Sequence, residues 1–288
     1  MHMTEPIAED ASSGVTPYVP PPPVGPRIRI ATLSLQDPFR WLTRGLRDFR
    51  AYPGIALFYG LCFWAMAATL TAVFRFKPEY TMSIVSGCLL IGPFMAMGLY
   101  DVSRRREQGL VPSLGHSITC WDQRIKTLGM LLLVLLVLEL LWGRASLVVF
   151  AVFFNTGMPS SSGVLEAVFN PQNWEFVLVY MAVGGVFAVL VFSFCVISMP
   201  MILDRDTDAI SAAITSFRVV FGNTLVMLLW GFLIVVLLVT SMLPWGLGIV
   251  LTGPLLGHAS WHAYRASVLW DDPSEPTGPA PAPVAEAG

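Results

Sequence analysis

Charged residues are scarce in this chain of 288 residues. Asp, Glu, Lys and Arg make up 12% of it, against about 25% in an ordinary soluble domain. Hydrophobic residues make up 55%, and the mean hydropathy is +0.67. A soluble core of this length cannot enclose so much apolar surface behind so few charges. The composition therefore excludes a soluble enzyme and a disordered chain.

Cysteine pairs and net positive charge are also lacking. The four cysteines have no CxxC spacing, which excludes a disulfide scaffold and a zinc ribbon. The formal net charge of −2 provides no overall basic field, so we expect no nucleic-acid partner. The sequence contains no P-loop, GxSxG or HExxH motif. These absences favour a polytopic membrane protein that is not an enzyme.

Six apolar runs are each long enough to cross a bilayer core about 30 Å thick, which takes ~20 helical residues. Because lipid offers no hydrogen-bond partner to the backbone, such spans must be helices. The predicted fold is therefore all-α and polytopic. The six predicted transmembrane helices are residues 54–74, 80–100, 128–154, 176–199, 224–242 and 246–264.

Two polar, proline-rich tails flank the predicted membrane domain, which covers residues 34–268. Residues 1–33 and 269–288 have too few apolar side chains to form a core. Their proline content favours extended polyproline segments. The sequence therefore predicts a disordered tail at each end.

Arginine and lysine are concentrated on one side of the predicted membrane. That side receives the N terminus, the segments after spans 2 and 4, and the C terminus, whereas the opposite side carries only Arg75 and Lys77. Cytoplasmic segments of membrane proteins are enriched in these residues. Both termini are therefore predicted to be cytoplasmic.

An amphipathic stretch precedes each pair of spans on the cytoplasmic side. Apolar residues at i, i+4 and i+7 give each stretch one apolar helical face. The three sets are Leu42, Leu46 and Phe49; Leu114, Ile118 and Trp121; and Ile210, Ile214 and Phe217. A Gly-Pro pair also recurs in spans 2 and 6, at identical spacing before Arg104 and Arg265. The pattern predicts three parallel hairpin repeats, each preceded by a cytoplasmic amphipathic helix.

The polar face of the first amphipathic stretch carries Arg40, Arg44 and Arg47. A basic amphipathic helix lies in the membrane interface, where its cations meet anionic headgroups. We therefore expect these three residues to contact lipid headgroups, with the lipid bilayer as the partner.

Glu139 and Arg144 are the only Asp, Glu, Lys or Arg residues inside a predicted span. Each costs about 2.5–3.5 kcal/mol at the bilayer centre, so a compensating contact is required. A separation of five residues places them on different helical faces. Two alternatives remain open: a proton or substrate path through a small transporter or channel, and a polar clamp to neighbouring helices.

His258 and His262 are spaced i, i+4 near the cytoplasmic end of span 6, and such a pair can bind a metal ion. The repeat places Met97 and Asp101 at the equivalent positions of span 2. A heme or metal site between these helices is one alternative. The other is hydrogen bonding at the helix end, which we favour, so no cofactor is expected.

Two local signals concern helix ends and helix packing. Asp208 is predicted to cap the third amphipathic helix at its N terminus. Gly253 and Gly257 form a GxxxG pattern, which lets helices approach closely. Packing within the monomer is the expectation, and a homo-oligomer is the alternative.

Five strings carry a resemblance to a known family. They are LFYGLCF (57–63), GCLLIGPFMAMGLYDVSRRREQG (87–109), WGRASLVVF (142–150), PMILDRDTDAI (200–210) and GHASWHAYR (257–265). They resemble a bacterial, proteobacterial-type family of integral membrane proteins with a domain of unknown function. The resemblance covers residues 35–268 and implies the bacterial cytoplasmic (inner) membrane. It implies no catalytic residue, because the role of that family is not established.

Some members of that family are labelled cytochrome c oxidase subunit I. Such a subunit resembles a bundle of about twelve spans with six intramembrane histidine ligands for hemes and copper. Six predicted spans and one histidine pair cannot form that centre.

The leading functional hypothesis is a non-enzymatic accessory or membrane-organising protein, with a respiratory or other membrane protein complex as partner. A small transporter or channel and a heme- or metal-binding redox protein are the alternatives.

Overall fold

The computed structural model describes residues 27–77, 80–154, 170–243 and 245–271. Most of this part of the chain is helical. Its α-helices are α1 (Asp37–Ala51), α2 (Pro53–Phe76), α3 (Thr81–Glu107), α4 (Leu114–Thr119), α5 (Ile125–Phe153), α6 (Trp174–Cys195), α7 (Ser198–Asp204), α8 (Ala209–Gly222), α9 (Thr224–Met242) and α10 (Ile249–Ser267). Short 3-10 turns at Asp122–Arg124 and Pro171–Asn173 precede α5 and α6.

Among the described residues, five helical stretches are long and apolar enough to cross a membrane. They are Pro53–Phe76, Ile84–Glu107, Leu114–Phe153, Trp174–Asp204 and Thr224–Met242. They overlap the first five predicted spans, and the fifth has the predicted bounds. Because spanning in lipid requires a long apolar helix, these stretches fit a protein with membrane-crossing helices.

Helix α10 lies where the sixth span was predicted, but it is not among these five stretches. It begins at Ile249 because the chain turns just before it, with left-handed φ angles of 56° at Trp245 and 71° at Gly246. Its second half carries His258 and His262, which lower its hydropathy, and most of that half is buried in protein. The sixth span therefore stays a prediction.

Within residues 29–269, α10 packs against α1, α2, α3, α7 and α9. Glycine makes the closest crossing: a Cβ at Gly60 of α2 would run into the carbonyl group of Val250. Gly253 and Gly257 face α2 and α3 in the same way, towards the side chains of Phe63 and Leu99. The GxxxG pattern thus packs within the monomer, as expected.

The predicted amphipathic stretches differ from one another in the structure. The second is wrong as one helix, because α4 ends at Thr119, before Trp121, and a 3-10 turn follows. The third forms α8, whose Ile210 and Ile214 are exposed. Asp208 caps α8 as predicted, because its carboxylate accepts a hydrogen bond from the backbone N–H of Ser211 at 2.9 Å.

A two-stranded sheet stands where the sequence predicted the inner ends of the tails, so the described chain is not wholly helical. Strand β1 (Arg27–Ile30) pairs with β2 (Val268–Asp271). The alternation Arg-Ile-Arg-Ile has the two-residue period of a strand, which explains β1. Asn223, between α8 and α9, accepts from the backbone N–H of Leu33 at 2.9 Å and donates to the carbonyl of Ala31 at 3.1 Å. The rest of the predicted tails lies outside the described residues.

Candidate functional site

Helix α1 packs on α10 through a face that the sequence pattern did not single out. Trp41, Gly45 and Asp48, at i, i+4 and i+7, lie on its buried face. Gly45 permits the contact, since a Cβ there would lie 2.8 Å from the backbone nitrogen of Ala259. The predicted apolar face is adjacent and only half-buried: Leu42, Leu46 and Phe49. The buried face of α1 therefore carries an acid.

Asp48 is 3% exposed and joins three helices. Its carboxylate accepts hydrogen bonds from the Ser103 hydroxyl of α3 at 2.5 Å and from Nε2 of His262 in α10 at 2.9 Å. The Arg106 guanidinium of α3 also donates to it. Burial by itself would raise the pKa of Asp48, but the hydrogen bonds from His262 and Ser103, together with the charges of His262 and His258, lower the pKa below its ordinary value of 3.8. Asp48 is therefore ionised at neutral pH.

Ser103 links Asp48 to His258. A hydroxyl has one hydrogen, which Ser103 donates to Asp48, so Ser103 accepts from Nδ1 of His258 at 2.8 Å. These are the residue types of a hydrolytic triad. However, Ser103 and His258 are both completely buried, and the carboxylate contacts the serine directly. The arrangement is suited to holding helices together, and in this conformation Ser103 cannot reach a substrate.

His262 lies between two carboxylates. Its Nε2 contacts Asp48, and its Nδ1 lies 3.4 Å from the carboxylate of Glu107, at the end of α3. Glu107 in turn accepts a hydrogen bond from Nε of Arg265 at 3.2 Å. A chain of polar contacts thus runs along α10 from the buried His258 to the exposed Arg265. We call Asp48, Ser103, Arg106, Glu107, His258 and His262 the Asp48 network.

A second charged cluster joins α3, α7 and α10 around Asp204. The Tyr264 hydroxyl donates to Asp204 at 2.8 Å. Nitrogen atoms of Arg104 and Arg265 lie 3.5 and 3.6 Å from its carboxylate. These four residues form the Asp204 cluster. Because Asp204 ends α7, the cluster fixes the ends of three helices against one another.

Two shallow cavities open beside these clusters. The Arg265 cavity has a volume of about 350 Å³ and is lined mainly by Arg104, Glu107, Asp204, Arg205, Trp261 and Arg265. The Arg44 cavity has a volume of about 250 Å³ and is lined by Arg44, Arg47, Asp48, Arg106, Glu107 and His262. Glu107 lines both cavities. Arginine outnumbers the carboxylates in each.

The histidine pair is engaged in hydrogen bonds, and Asp101, its proposed partner in span 2, has polar partners of its own. Asp101 accepts from Nδ1 of His116 at 3.1 Å and lies 3.4 Å from Nε of Arg105. Met97 is buried. In the part of the chain that the structure describes, no three His, Cys, Asp or Glu residues are grouped so that they could hold a metal ion. The contacts of His258 and His262 are those of the hydrogen-bonding alternative.

Glu139 and Arg144 lie on different sides of α5. Glu139 is 7% exposed and accepts a hydrogen bond from the Ser86 hydroxyl of α3 at 3.2 Å, whereas Arg144 is exposed. The separation of five residues explains the difference in burial. Neither of the two cavities described above is lined by Glu139. The contact with Ser86 is of the kind that the clamp alternative requires.

The three arginines predicted to contact headgroups are not equivalent. Arg40 pairs with Asp37 at 3.1 Å. Arg44 and Arg47 instead line the Arg44 cavity. All three belong to the same helix, but Arg40 lines neither of the two cavities described for residues 27–271.

Sequence reasoning missed most of the residues that meet at this site. Asp48, Ser103, Glu107 and Asp204 carry no motif. Asp48 alone gave a usable signal, because an acid at i+7 from a tryptophan interrupts a face that would otherwise be buried and uncharged. Ser103, Glu107 and Asp204 can be recognised as site residues only when the helix crossings are known.

Comparison with known proteins places this chain near a membrane family. Residues 80–204 match the family described as "Predicted integral membrane protein (DUF2189)". The matched segment contains α3 to α7, and therefore Ser103 and Asp204, but neither Asp48 nor α10. No curated protein and no solved structure gives a significant match. The family match and the five apolar helices agree on an integral membrane protein of unknown function.

Proposed function

We propose that this protein is a non-enzymatic accessory or membrane-organising component of a bacterial inner membrane. The proposal rests on where the charged side chains make their contacts. In the Asp48 network and the Asp204 cluster, charged side chains bind one another and hold helices together. Large apolar side chains along α5, α6 and α9 are exposed, and they leave surface for lipid or for a protein partner.

The proposal includes a six-span topology with α10 as the sixth span. The ends of α3, α7 and α10 meet in the Asp204 cluster. Arg104 and Arg265 stand at equivalent positions of the first and third repeats, and both lie beside Asp204 of the second. That common partner supports three parallel hairpins around the cluster. The excess of arginine at this end supports its placement in the cytoplasm.

Reporter fusions at both termini test the topology. Six spans place the two termini on the same side of the membrane, and five place them on opposite sides. Green fluorescent protein fused to either end should fluoresce, and alkaline phosphatase fused to either end should be inactive, if both ends are cytoplasmic. An active phosphatase at the C terminus alone would contradict the sixth span.

Co-purification tests the accessory role. The chain is tagged at native expression level, extracted in mild detergent, and its bound proteins are identified by mass spectrometry. An unrelated polytopic protein, tagged and expressed at the same level, is the control. We expect one membrane complex, respiratory or other, in a fixed ratio to the chain and absent from the control. Recovery of the chain alone or as a homo-oligomer would contradict the accessory role.

A small transporter or channel is the second candidate, and the burial of Glu139 in the middle of α5 favours it. A buried acid inside a span is costly, and such acids often mark ion or proton paths. Under this alternative Glu139→Gln should abolish transport while leaving the folded protein intact. If Glu139→Gln only lowers thermal stability, Glu139 is a clamp to Ser86.

A further inference from the structure

The Arg44 cavity is formed by three helices. Helix α1 contributes Arg44 and Arg47, α3 contributes Arg106 and Glu107, and α10 contributes His262. The buried carboxylate of Asp48 completes the lining. The hydrogen bonds of Asp48 join the three helices that line this cavity.

The charges of this cavity are unevenly matched. Asp48 already accepts hydrogen bonds from Arg106, Ser103 and His262. Glu107 is engaged by His262 and Arg265. In residues 27–77, 80–154, 170–243 and 245–271, neither Arg44 nor Arg47 makes an ion pair or a hydrogen bond from its side chain. Two guanidinium groups therefore line the cavity without an acidic ion-pair partner among the described residues.

The spacing of these two arginines suits one anion. Residues at i and i+3 lie on the same helix face, with Cβ atoms about 5–6 Å apart. Two such guanidiniums can donate several hydrogen bonds to the oxygens of one phosphate group. A carboxylate can also bridge two guanidiniums, as Asp204 does for Arg104 and Arg265, so the spacing indicates an anion, and the depth of the cavity favours a phosphate.

The cavity also lies at the depth of the phosphate layer, if the candidate spans cross the membrane. Glu107 is the last residue of one candidate span, and Pro53, five residues after Asp48, is the first of another. Span ends lie where the hydrocarbon core gives way to headgroups. This step rests on the proposed membrane placement.

We propose that the Arg44 cavity is a binding site for one phosphate-bearing anion, held by Arg44 and Arg47 above the Asp48 network. The chemistry is shared by the headgroup of an anionic phospholipid and by a soluble phosphate compound. The proposal narrows the predicted headgroup contact, because Arg40 is paired with Asp37 and lines neither cavity.

Two double variants of equal charge test the site. Arg44→Gln with Arg47→Gln removes both guanidiniums from the cavity. Arg40→Gln with Arg50→Gln removes the same charge from the same helix, at exposed positions that line neither cavity. Thermal stability in detergent is measured for both, so that a loss of binding is not mistaken for a loss of folding.

The first arm uses nanodiscs of phosphatidylcholine with and without phosphatidylglycerol, and counts the lipids retained per chain by native mass spectrometry. The second arm titrates inorganic phosphate and glycerol 3-phosphate into the detergent-solubilised protein by calorimetry. We expect the wild type to bind one anion per chain. The cavity variant should bind it at least about tenfold more weakly, a change of about 1.4 kcal/mol, and the control variant should match the wild type.

The arms separate the two sources. Retention of phosphatidylglycerol without binding of the soluble compounds assigns a lipid headgroup, and binding in the second arm assigns a soluble phosphate. Equal weakening in both double variants would overturn the proposal, since it would indicate only long-range attraction of the basic helix. Absence of one-to-one binding in both arms would overturn it as well. These outcomes do not depend on whether a protein partner co-purifies, so the site and the accessory role fail separately.

Discussion

Replacement of Asp48 by Asn tests whether the Asp48 network holds the helices together. The amide keeps the size of the carboxylate but removes its charge. Arg106 and His262 then lose their anionic partner. Because Asp48 is 3% exposed, water cannot take its place at the buried contacts. Loss of one partner of a buried pair costs about 3–5 kcal/mol.

The exposure of the partners places the expected cost at the lower end of that range. The side chain of Arg106 is 38% exposed, so water can solvate part of its freed charge. We therefore expect a loss of about 3 kcal/mol in the free energy of unfolding. In a chain of this size about 1 kcal/mol shifts Tm by roughly 2–4 °C, so Tm should fall by about 6–12 °C.

The assay follows the size-exclusion peak of the detergent-solubilised protein after heating to a series of temperatures. Asp206→Asn is the matched control, because it makes the same chemical change in an ion pair whose carboxylate is fully exposed. An exposed ion pair contributes little to stability, so this variant should keep the wild-type Tm. Equal Tm values for the two variants and the wild type would refute the clamping role of Asp48.

Three further measurements test the pH dependence of Asp48, the crossing of α2 and α10, and the contact of Glu139 with Ser86. The pKa of Asp48 is lowered, so its carboxylate stabilises the fold at pH values above its ordinary pKa of 3.8 and loses this effect as the pH falls below that value. The Tm difference between wild type and Asp48→Asn should therefore shrink on acidification through pH 4. A constant difference would contradict this. Gly60→Ala should lower the free energy of unfolding by about 1–3 kcal/mol, because the added Cβ forces α2 away from α10. Gly143→Ala is the control, since a Cβ there meets open space, and it should keep the wild-type Tm. Equal Tm values for the two variants would contradict the close crossing. Glu139→Leu and Ser86→Ala should each lower Tm. The double variant should lose less than the sum of the two, because each change removes the same hydrogen bond; additive losses would contradict the clamp.

Local features were predictable from the sequence because their causes are local. The span at residues 224–242 is an uninterrupted apolar run, and it forms α9 with the same bounds. Asp208 caps α8 because a short acidic side chain reaches the free backbone N–H groups three residues ahead. Gly253 and Gly257 lack side chains, and this is sufficient for a close approach of neighbouring helices.

The orientation of a helix about its own axis was not predictable in this way. In α1 two adjacent faces compete: one carries Leu42, Leu46 and Phe49, and the other carries Trp41, Gly45 and Asp48. Hydrophobicity favours the first. The structure buries the second face, because Gly45 lets the backbone of α10 approach and because α3 and α10 provide hydrogen-bond partners for Asp48.

The sequence by itself determined the membrane class of the protein, five of its apolar helices and the Asp208 cap, because composition and short-range periodicity encode these features. Only the tertiary structure decided which charges meet. Asp48 and His262 are 214 residues apart in the chain, and nothing in their own neighbourhoods predicts the contact. Their 2.9 Å hydrogen bond exists because α1 crosses α10 at Gly45, and a crossing depends on the fit of two whole surfaces.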